Sequence, residues 1–114
     1  MSRSARDYLR HILHEAEYLA EVTSGLSRED FLVDETLRRA FARSIEVVGE
    51  AAKLLSPEWR DAHPEVDWRA LAGMRDRLIH GYLGVDYELV WEVASTRLPA
   101  LRPAIAALVE EASE

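Results

Sequence analysis

The chain has 114 residues, of which 48% are hydrophobic and 31% charged, with no cysteine and a formal net charge of −7. This length suits one hydrophobic core, and the apolar content argues against disorder, so we expect a single domain over residues 1–114. The lack of cysteine excludes disulfides and thiolate metal ligands. The acidic balance argues against general nucleic-acid binding, although a locally basic cleft remains compatible with it.

Targeting signals are not evident in the sequence. The N-terminal residues are polar and lack the apolar core of a secretory signal, and no apolar run approaches the roughly 20 residues of a membrane-spanning helix. We therefore expect a cytoplasmic protein that does not bind membranes. The acids and histidines show no metal-ligand spacing such as His-Glu-x-x-His, so we expect neither a metal nor a cofactor.

Apolar residues recur at three- and four-residue steps through the first half of the chain, which predicts amphipathic helices. The first helix is predicted over residues 4–23 with Ser4 as its N-cap, and a short segment opens at Ser27. A long helix over residues 34–55 follows. Three arginines lie on a different side of this helix from the apolar stripe: Arg38, Arg39 and Arg43. They form a basic patch that is either solvated or an auxiliary contact for a phosphate.

Gly49 lies in the middle of the long helix, where it costs about 1 kcal/mol relative to alanine. Close packing of another backbone is therefore expected at this position. Glu50 lies beside that contact and needs a cationic partner, for which Arg75 and Arg77 are the obvious choices. We favour a structural ion pair over direct chemistry for Glu50.

The second half of the chain continues the helical pattern, with stops and starts marked by polar residues and prolines. Ser56 is predicted to cap a short helical turn, Asp67 the third helix and Asp86 the fourth. Two prolines interrupt the pattern after that, which predicts a kink or a restart near Leu98 before the final helix. Because no segment alternates like a strand, we predict an all-α, up-and-down bundle of four to five helices.

Residues 74–82 read Met-Arg-Asp-Arg-Leu-Ile-His-Gly-Tyr and concentrate chemically useful side chains at the predicted end of the third helix. Gly81 is expected to end or bend that helix. On an ideal helix, Arg75 and His80 would lie roughly 140° apart, and Arg77 would neighbour His80. Tyr82 would follow just past the helix end, beside the same groove.

These residue types suit cleavage of RNA by its own 2′-hydroxyl group. An arginine offers a planar fork of donors that matches a phosphate, and a histidine can take up or release a proton near neutral pH. His80 would accept the hydroxyl proton while Arg75 stabilises the charge developing on the phosphate. Because one histidine does not easily serve as both base and acid, a homodimer that shares the groove is expected.

The spacing alone leaves two interpretations open. An arginine and a histidine five residues apart are common in helical proteins, and a histidine near a helix C-terminus is favourable through the helix dipole alone. Likewise, Tyr82 could simply pack against the helix end. The wider pattern of the chain bears on this choice.

The motif Arg75-x4-His80-x-Tyr82 resembles the signature of HepT toxins, which belong to the HEPN superfamily of all-α ribonucleases. The resemblance extends in order over nearly the whole chain. In chain order, the matching features are a Phe-Leu pair and a long helix that contains Val-Gly-Glu-Ala. These are followed by the sequence Ser-Pro-Glu-Trp, the stretch from Trp68 to Tyr82, and the sequences Val-Trp-Glu and Leu-Pro.

The resemblance implies a HEPN-like fold and the toxin half of a toxin–antitoxin system. Arg75 and His80 would match the catalytic pair of a metal-independent endoribonuclease, with Asp76, Arg77 and Glu50 in supporting positions. Tyr82 would match the tyrosine that the partner antitoxin, the minimal nucleotidyltransferase MntA, modifies with AMP. The added charge and bulk would silence RNA cleavage. The alternatives are a non-catalytic dimer that binds a nucleotide or a partner's phosphate, and a purely structural dimerisation domain.

Overall fold

A computed structural model of the protein describes residues 4–80 and 84–112, with His80 represented by its backbone. The described chain is almost entirely helical, as predicted. Its elements are α1 (Ala5–Ser24), α2 (Arg28–Val33), α3 (Glu35–Leu54), α4 (Pro57–Ala62), α5 (Trp68–Leu78), β1 (Ile79–His80), β2 (Gly84–Val85), α6 (Tyr87–Glu92), a π-helical turn (Val93–Arg97), α7 (Leu98–Ala100) and α8 (Arg102–Glu111).

Side-chain caps determine where most of these helices begin. In each case the cap accepts a hydrogen bond from the backbone N–H three residues later, which satisfies a donor that the first turn leaves unpaired. Ser4 also forms a reciprocal capping box with Asp7. The predicted N-caps are confirmed at Ser4, Ser56, Asp67 and Asp86, while Ser27 caps α2 and Asp34 caps the long helix.

The core lies around α3, which packs against α1 on one side and α5 on the other, while α8 packs along α1. Phe31 and Phe41 are fully buried and stack with ring centroids 4.8 Å apart, and Trp91 lies 5.4 Å from Phe31. These aromatic contacts join α2, α3 and α6 into one hydrophobic core. None of the described helices is both long and apolar enough to cross a membrane.

The connection after α5 differs from the predicted helix end. The helix stops at Leu78 rather than at Gly81, and Ile79 already has extended backbone angles. Strands β1 and β2 pair antiparallel, with Ile79 opposite Val85 and His80 opposite Gly84. A two-residue strand is too short to show the alternation by which strands are recognised in a sequence. The prediction that His80 continues the helix was therefore wrong.

The C-terminal segment shows the predicted restart near Leu98. The backbone N–H of Leu98 bonds the carbonyl of Val93, a five-residue step that makes the turn before it π-helical. Pro99 supplies the cause, because it has no N–H to bond the carbonyl of Ser95 and so disrupts the regular α-helical ladder. The chain then continues through α7 into α8, as expected.

Candidate active site

The candidate site is built where α3 and α5 cross. A Cβ atom placed on Gly49 of α3 would lie 3.3 Å from the carbonyl oxygen of Leu71 and 3.7 Å from that of Ala72. Gly49 therefore allows the two helices to approach more closely than a side chain would permit, which confirms the close packing predicted there. The same virtual Cβ would lie 4.0 Å from the Cβ of Arg75, so this crossing places Arg75 beside α3.

The guanidinium of Arg75 is held between two carboxylates. Its Nε donates a hydrogen bond to Oε2 of Glu46 at 3.3 Å, and its Nη1 donates to Oδ1 of Asp76 at 3.4 Å. The Arg75 side chain nevertheless remains 50% exposed. A guanidinium carries five N–H donors, so these two contacts leave three directed elsewhere. Arg75 is thus oriented and still accessible to an anion.

Glu46, rather than Glu50, supplies the acid from α3. Glu50 is exposed, and the expected pairing of Glu50 with Arg75 is replaced in the described structure by the Glu46–Arg75 pair. The reason is helical spacing. Glu46 precedes Gly49 by three residues and shares its face toward α5, whereas Glu50 is turned about 100° away from Gly49. The position of Gly49 thus indicates which side of α3 faces α5, and Glu46 lies on that side.

Arg77 is directed away from this pair. Its Nη2 donates to the carbonyl oxygen of Ala70 at 3.2 Å, seven residues and about two turns earlier in α5. Together with Arg97 it lines a small cavity beside Met74 and Leu89. The contacts of Arg77 give it a role in stabilising the exposed side of α5, separate from the Glu46–Arg75 pair.

His80 has a fixed backbone position just beyond the end of α5. The paired strands place it opposite Gly84, and the backbone N–H of Asp86 bonds the carbonyl oxygen of Leu78 at 2.9 Å. The angular separation of 140° from Arg75 does not apply, because His80 is not helical. The His80 side chain lies outside the described part of the structure, as do Gly81 and Tyr82.

The basic patch of α3 divides into three different environments. The Arg38 guanidinium lies 4.9 Å from the ring centroid of Tyr87, and Arg39 forms an ion pair with Glu35 at 2.8 Å. Arg43 is exposed and lies three residues before Glu46, hence on the neighbouring turn of the helix. Of the three arginines, Arg43 is the nearest to Glu46 along α3.

Histidine, aspartate and glutamate side chains do not cluster in threes as a metal site would require, within the part of the chain that the structure describes. An oriented guanidinium can bind and neutralise a phosphate, and an imidazole following it in the chain can transfer a proton.

The helical fold, and an Arg-x4-His motif that begins in α5 and ends just beyond it, are the features expected of a HEPN-type protein. A family model described as "Ribonuclease HepT-like" matches residues 12–108. The chain therefore belongs to the HepT-like ribonuclease family, as the motif around Arg75 and His80 predicted.

Individual relatives support this assignment over nearly their whole length. The chain is 45% identical over 109 residues to "Putative RNase TTE0752" of Caldanaerobacter subterraneus subsp. tengcongensis, covering 96% of this chain and 97% of the relative. It is 40% identical over 102 residues to "Probable ribonuclease HepT" of Thermococcus cleftensis, covering 90% and 93%. It is also 33% identical over 112 residues to "Putative RNase MJ0125" of Methanocaldococcus jannaschii, covering 98% and 97%. No solved structure gave a significant match.

Proposed function

We propose that this protein is a metal-independent endoribonuclease that acts as the toxin of a toxin–antitoxin system. The observation that carries the proposal is the state of Arg75, which is oriented by Glu46 and yet half exposed, in a chain of the HepT-like ribonuclease family. Exposure alone does not single out Arg75, because Arg97 pairs with Glu92 and is equally exposed. The Arg-x4-His motif singles it out, and its remaining donors suit an incoming phosphate.

The proposed reaction is an internal transesterification of RNA. The imidazole of His80 accepts the proton of a ribose 2′-hydroxyl, and the 2′-oxygen forms a bond to the adjacent phosphorus. The bond from phosphorus to the 5′-oxygen breaks, and that oxygen takes up a proton as it leaves, which gives a cyclic phosphate and a 5′-hydroxyl end. Arg75 stabilises the negative charge that develops on the phosphate oxygens.

A homodimer would supply the second proton-transfer group. Two copies of the site facing each other across a two-fold axis would place one His80 as the base and the other as the acid. RNA would bind in the cleft between them, and Arg43 on the exposed face of α3 would contact a neighbouring phosphate. The net charge of −7 disfavours binding of RNA elsewhere on the surface.

Tyr82 is proposed as the site at which an MntA-like nucleotidyltransferase antitoxin silences the toxin. The phenol oxygen would attack the α-phosphorus of ATP, forming a phosphodiester bond to AMP and releasing pyrophosphate. An added AMP beside the groove would repel the RNA phosphates and occupy their space. This role rests on the motif shared with HepT toxins.

Cleavage of RNA by the purified protein in the presence of a chelator tests the proposal. We expect the parent protein to cleave, and Arg75→Ala and His80→Ala each to lower kcat by about 10²- to 10⁴-fold while the fold and the dimer remain intact. Arg102→Ala is the matched control, because Arg102 is an exposed arginine on α8. Binding of RNA or nucleotide without any cleavage by the parent protein would instead identify a non-catalytic binding dimer.

A further inference from the structure

The two carboxylates beside Arg75 need an explanation if this arginine binds RNA. Glu46 and Asp76 contact the guanidinium through Nε and Nη1. By charge alone, each acid would repel the phosphate that Arg75 is proposed to attract. An acid at this position should therefore weaken substrate binding. Its presence is explained only if it improves another step of the reaction.

Stability does not explain the Glu46–Arg75 pair. The Arg75 side chain is 50% exposed and that of Glu46 34% exposed, so solvent screens their attraction. Ion pairs of this kind contribute no more than about 1 kcal/mol. Asp76 is more exposed still, at 76%, and its contact is the longer of the two. Glu46 is the carboxylate whose position on a neighbouring helix can restrict the guanidinium.

The geometry of the contact supplies a reason for it. Glu46 engages Nε, the nitrogen nearest the backbone, and among the described residues Nη2 and one N–H of Nη1 have no partner. Those two terminal nitrogens form the edge of the fork that binds two phosphate oxygens at once. An arginine has four rotatable side-chain bonds, and a contact from α3 to a side chain of α5 restricts the directions in which that edge can point.

We propose that Glu46 is a positioning residue, which holds Arg75 by Nε so that its terminal nitrogens meet the phosphate at the point of cleavage. This inference rests on the proposed function. Its expected signature is a split between two kinetic constants. Removing Glu46 removes a negative charge near RNA, so KM should stay the same or fall. It also releases Arg75 from its productive direction, so kcat should fall.

Three variants test whether kcat and KM change in this way. Glu46→Ala removes the contact, and Glu46→Gln keeps an oxygen acceptor of the same size without the charge. Glu110→Gln is the control, because Glu110 is an exposed glutamate on α8 and the substitution makes the same change in net charge. We expect kcat to fall by about 10- to 100-fold in Glu46→Ala, since small misplacements of a catalytic group have effects of this size. Glu46→Gln should recover part of the loss, and Glu110→Gln should keep the parent values.

A second measurement reports on Arg75 without catalysis. The Nε–H of Arg75 gives its own NMR signal, assigned by its loss in Arg75→Lys. We expect this signal to be sharp in the parent protein and Glu110→Gln, and broadened in Glu46→Ala. An unchanged kcat in Glu46→Ala, or a fall in kcat accompanied by an unchanged Arg75 signal, would overturn the positioning role. If the parent protein cleaves no RNA, the proposed function fails. The NMR measurement still tests the contact, because an unchanged Arg75 signal in Glu46→Ala would show that Glu46 does not hold Arg75.

Discussion

Gly49 and Leu71 lie so close together that a methyl group on residue 49 would sit 3.3 Å from the Leu71 carbonyl oxygen. The carbonyl belongs to the backbone of α5, and the Leu71 side chain is buried in the core. Neither part can move without shifting the helix. The crossing of α3 and α5 is consequently fixed at the place where Glu46 reaches Arg75.

Gly49→Ala tests this tight crossing. Alanine improves helix propensity by about 1 kcal/mol, whereas overpacking of a close contact costs about 1–3 kcal/mol. We therefore expect Gly49→Ala to lower the free energy of unfolding by up to about 2 kcal/mol. Urea denaturation measures this change. RNA cleavage should fall as well, because a shift of α5 moves Arg75 away from Glu46.

Gly73→Ala is the matched control for that experiment. Gly73 is also a helical glycine, in the middle of α5, but a Cβ placed there meets no atom within 4 Å among the described residues. Because no contact opposes the new methyl group, the higher helix propensity of alanine should raise the free energy of unfolding by about 1 kcal/mol. Equal stabilisation by both substitutions would show that the crossing can accommodate a side chain at Gly49.

The helices were predictable because their signals are local. Ser4, Asp67 and Asp86 precede apolar periodic segments, and each caps the helix that the pattern predicted. The end of α5 was not predictable in the same way. The residues after Leu78 have no strand-like alternation, and their extended form depends on pairing with Gly84–Val85. Such pairing is a tertiary contact that helical periodicity does not report.

Within the candidate site, the sequence identified the arginine but not its partner. Arg75 was selected by its spacing from His80, while Glu50 was selected because it adjoins Gly49 in sequence. Adjacent helical residues point in different directions. The acid of α3 that pairs with Arg75 is Glu46. To predict an ion pair between two helices, one must know which face of each helix lies in the contact and how the helices are aligned along their axes. The sequence indicated the contact face of α3 through Gly49, but it did not indicate the alignment.

Arg43→Ala tests the proposed path of RNA along α3. Each phosphate neutralised on a single strand contributes about 0.7 to the slope of log affinity against log salt. Loss of Arg43 should reduce that slope by about this amount and weaken binding to all sequences alike. Binding is measured by fluorescence anisotropy with labelled RNA, in the His80→Ala background so that the RNA stays intact.

Arg39→Ala serves as the control for Arg43→Ala. Arg39 lies one turn earlier on α3, but its guanidinium is engaged by Glu35 at 2.8 Å. Removing it deletes the same formal charge from the same helix, so a general electrostatic effect would change both variants equally. A path that runs past Arg43 predicts the larger change in slope for Arg43→Ala, and the reverse order would place the RNA elsewhere.

Tyr82→Phe separates the chemistry of the site from its silencing. The substitution removes the phenol oxygen that would receive AMP and keeps the ring. We therefore expect the variant to cleave RNA at about the parent rate. After incubation with an MntA-like nucleotidyltransferase and ATP, the parent protein should gain AMP and lose activity, whereas Tyr82→Phe should do neither.

Mass spectrometry of the intact protein and the RNA cleavage assay together decide this prediction. Tyr87→Phe is the control, because Tyr87 begins α6 shortly after the paired strands and its ring contacts the Arg38 guanidinium. This control should still accept AMP and be silenced. If Tyr82→Phe lost its own cleavage activity, the phenol would belong to the reaction rather than to its regulation. If Tyr82→Phe still gained AMP, another side chain would be the acceptor.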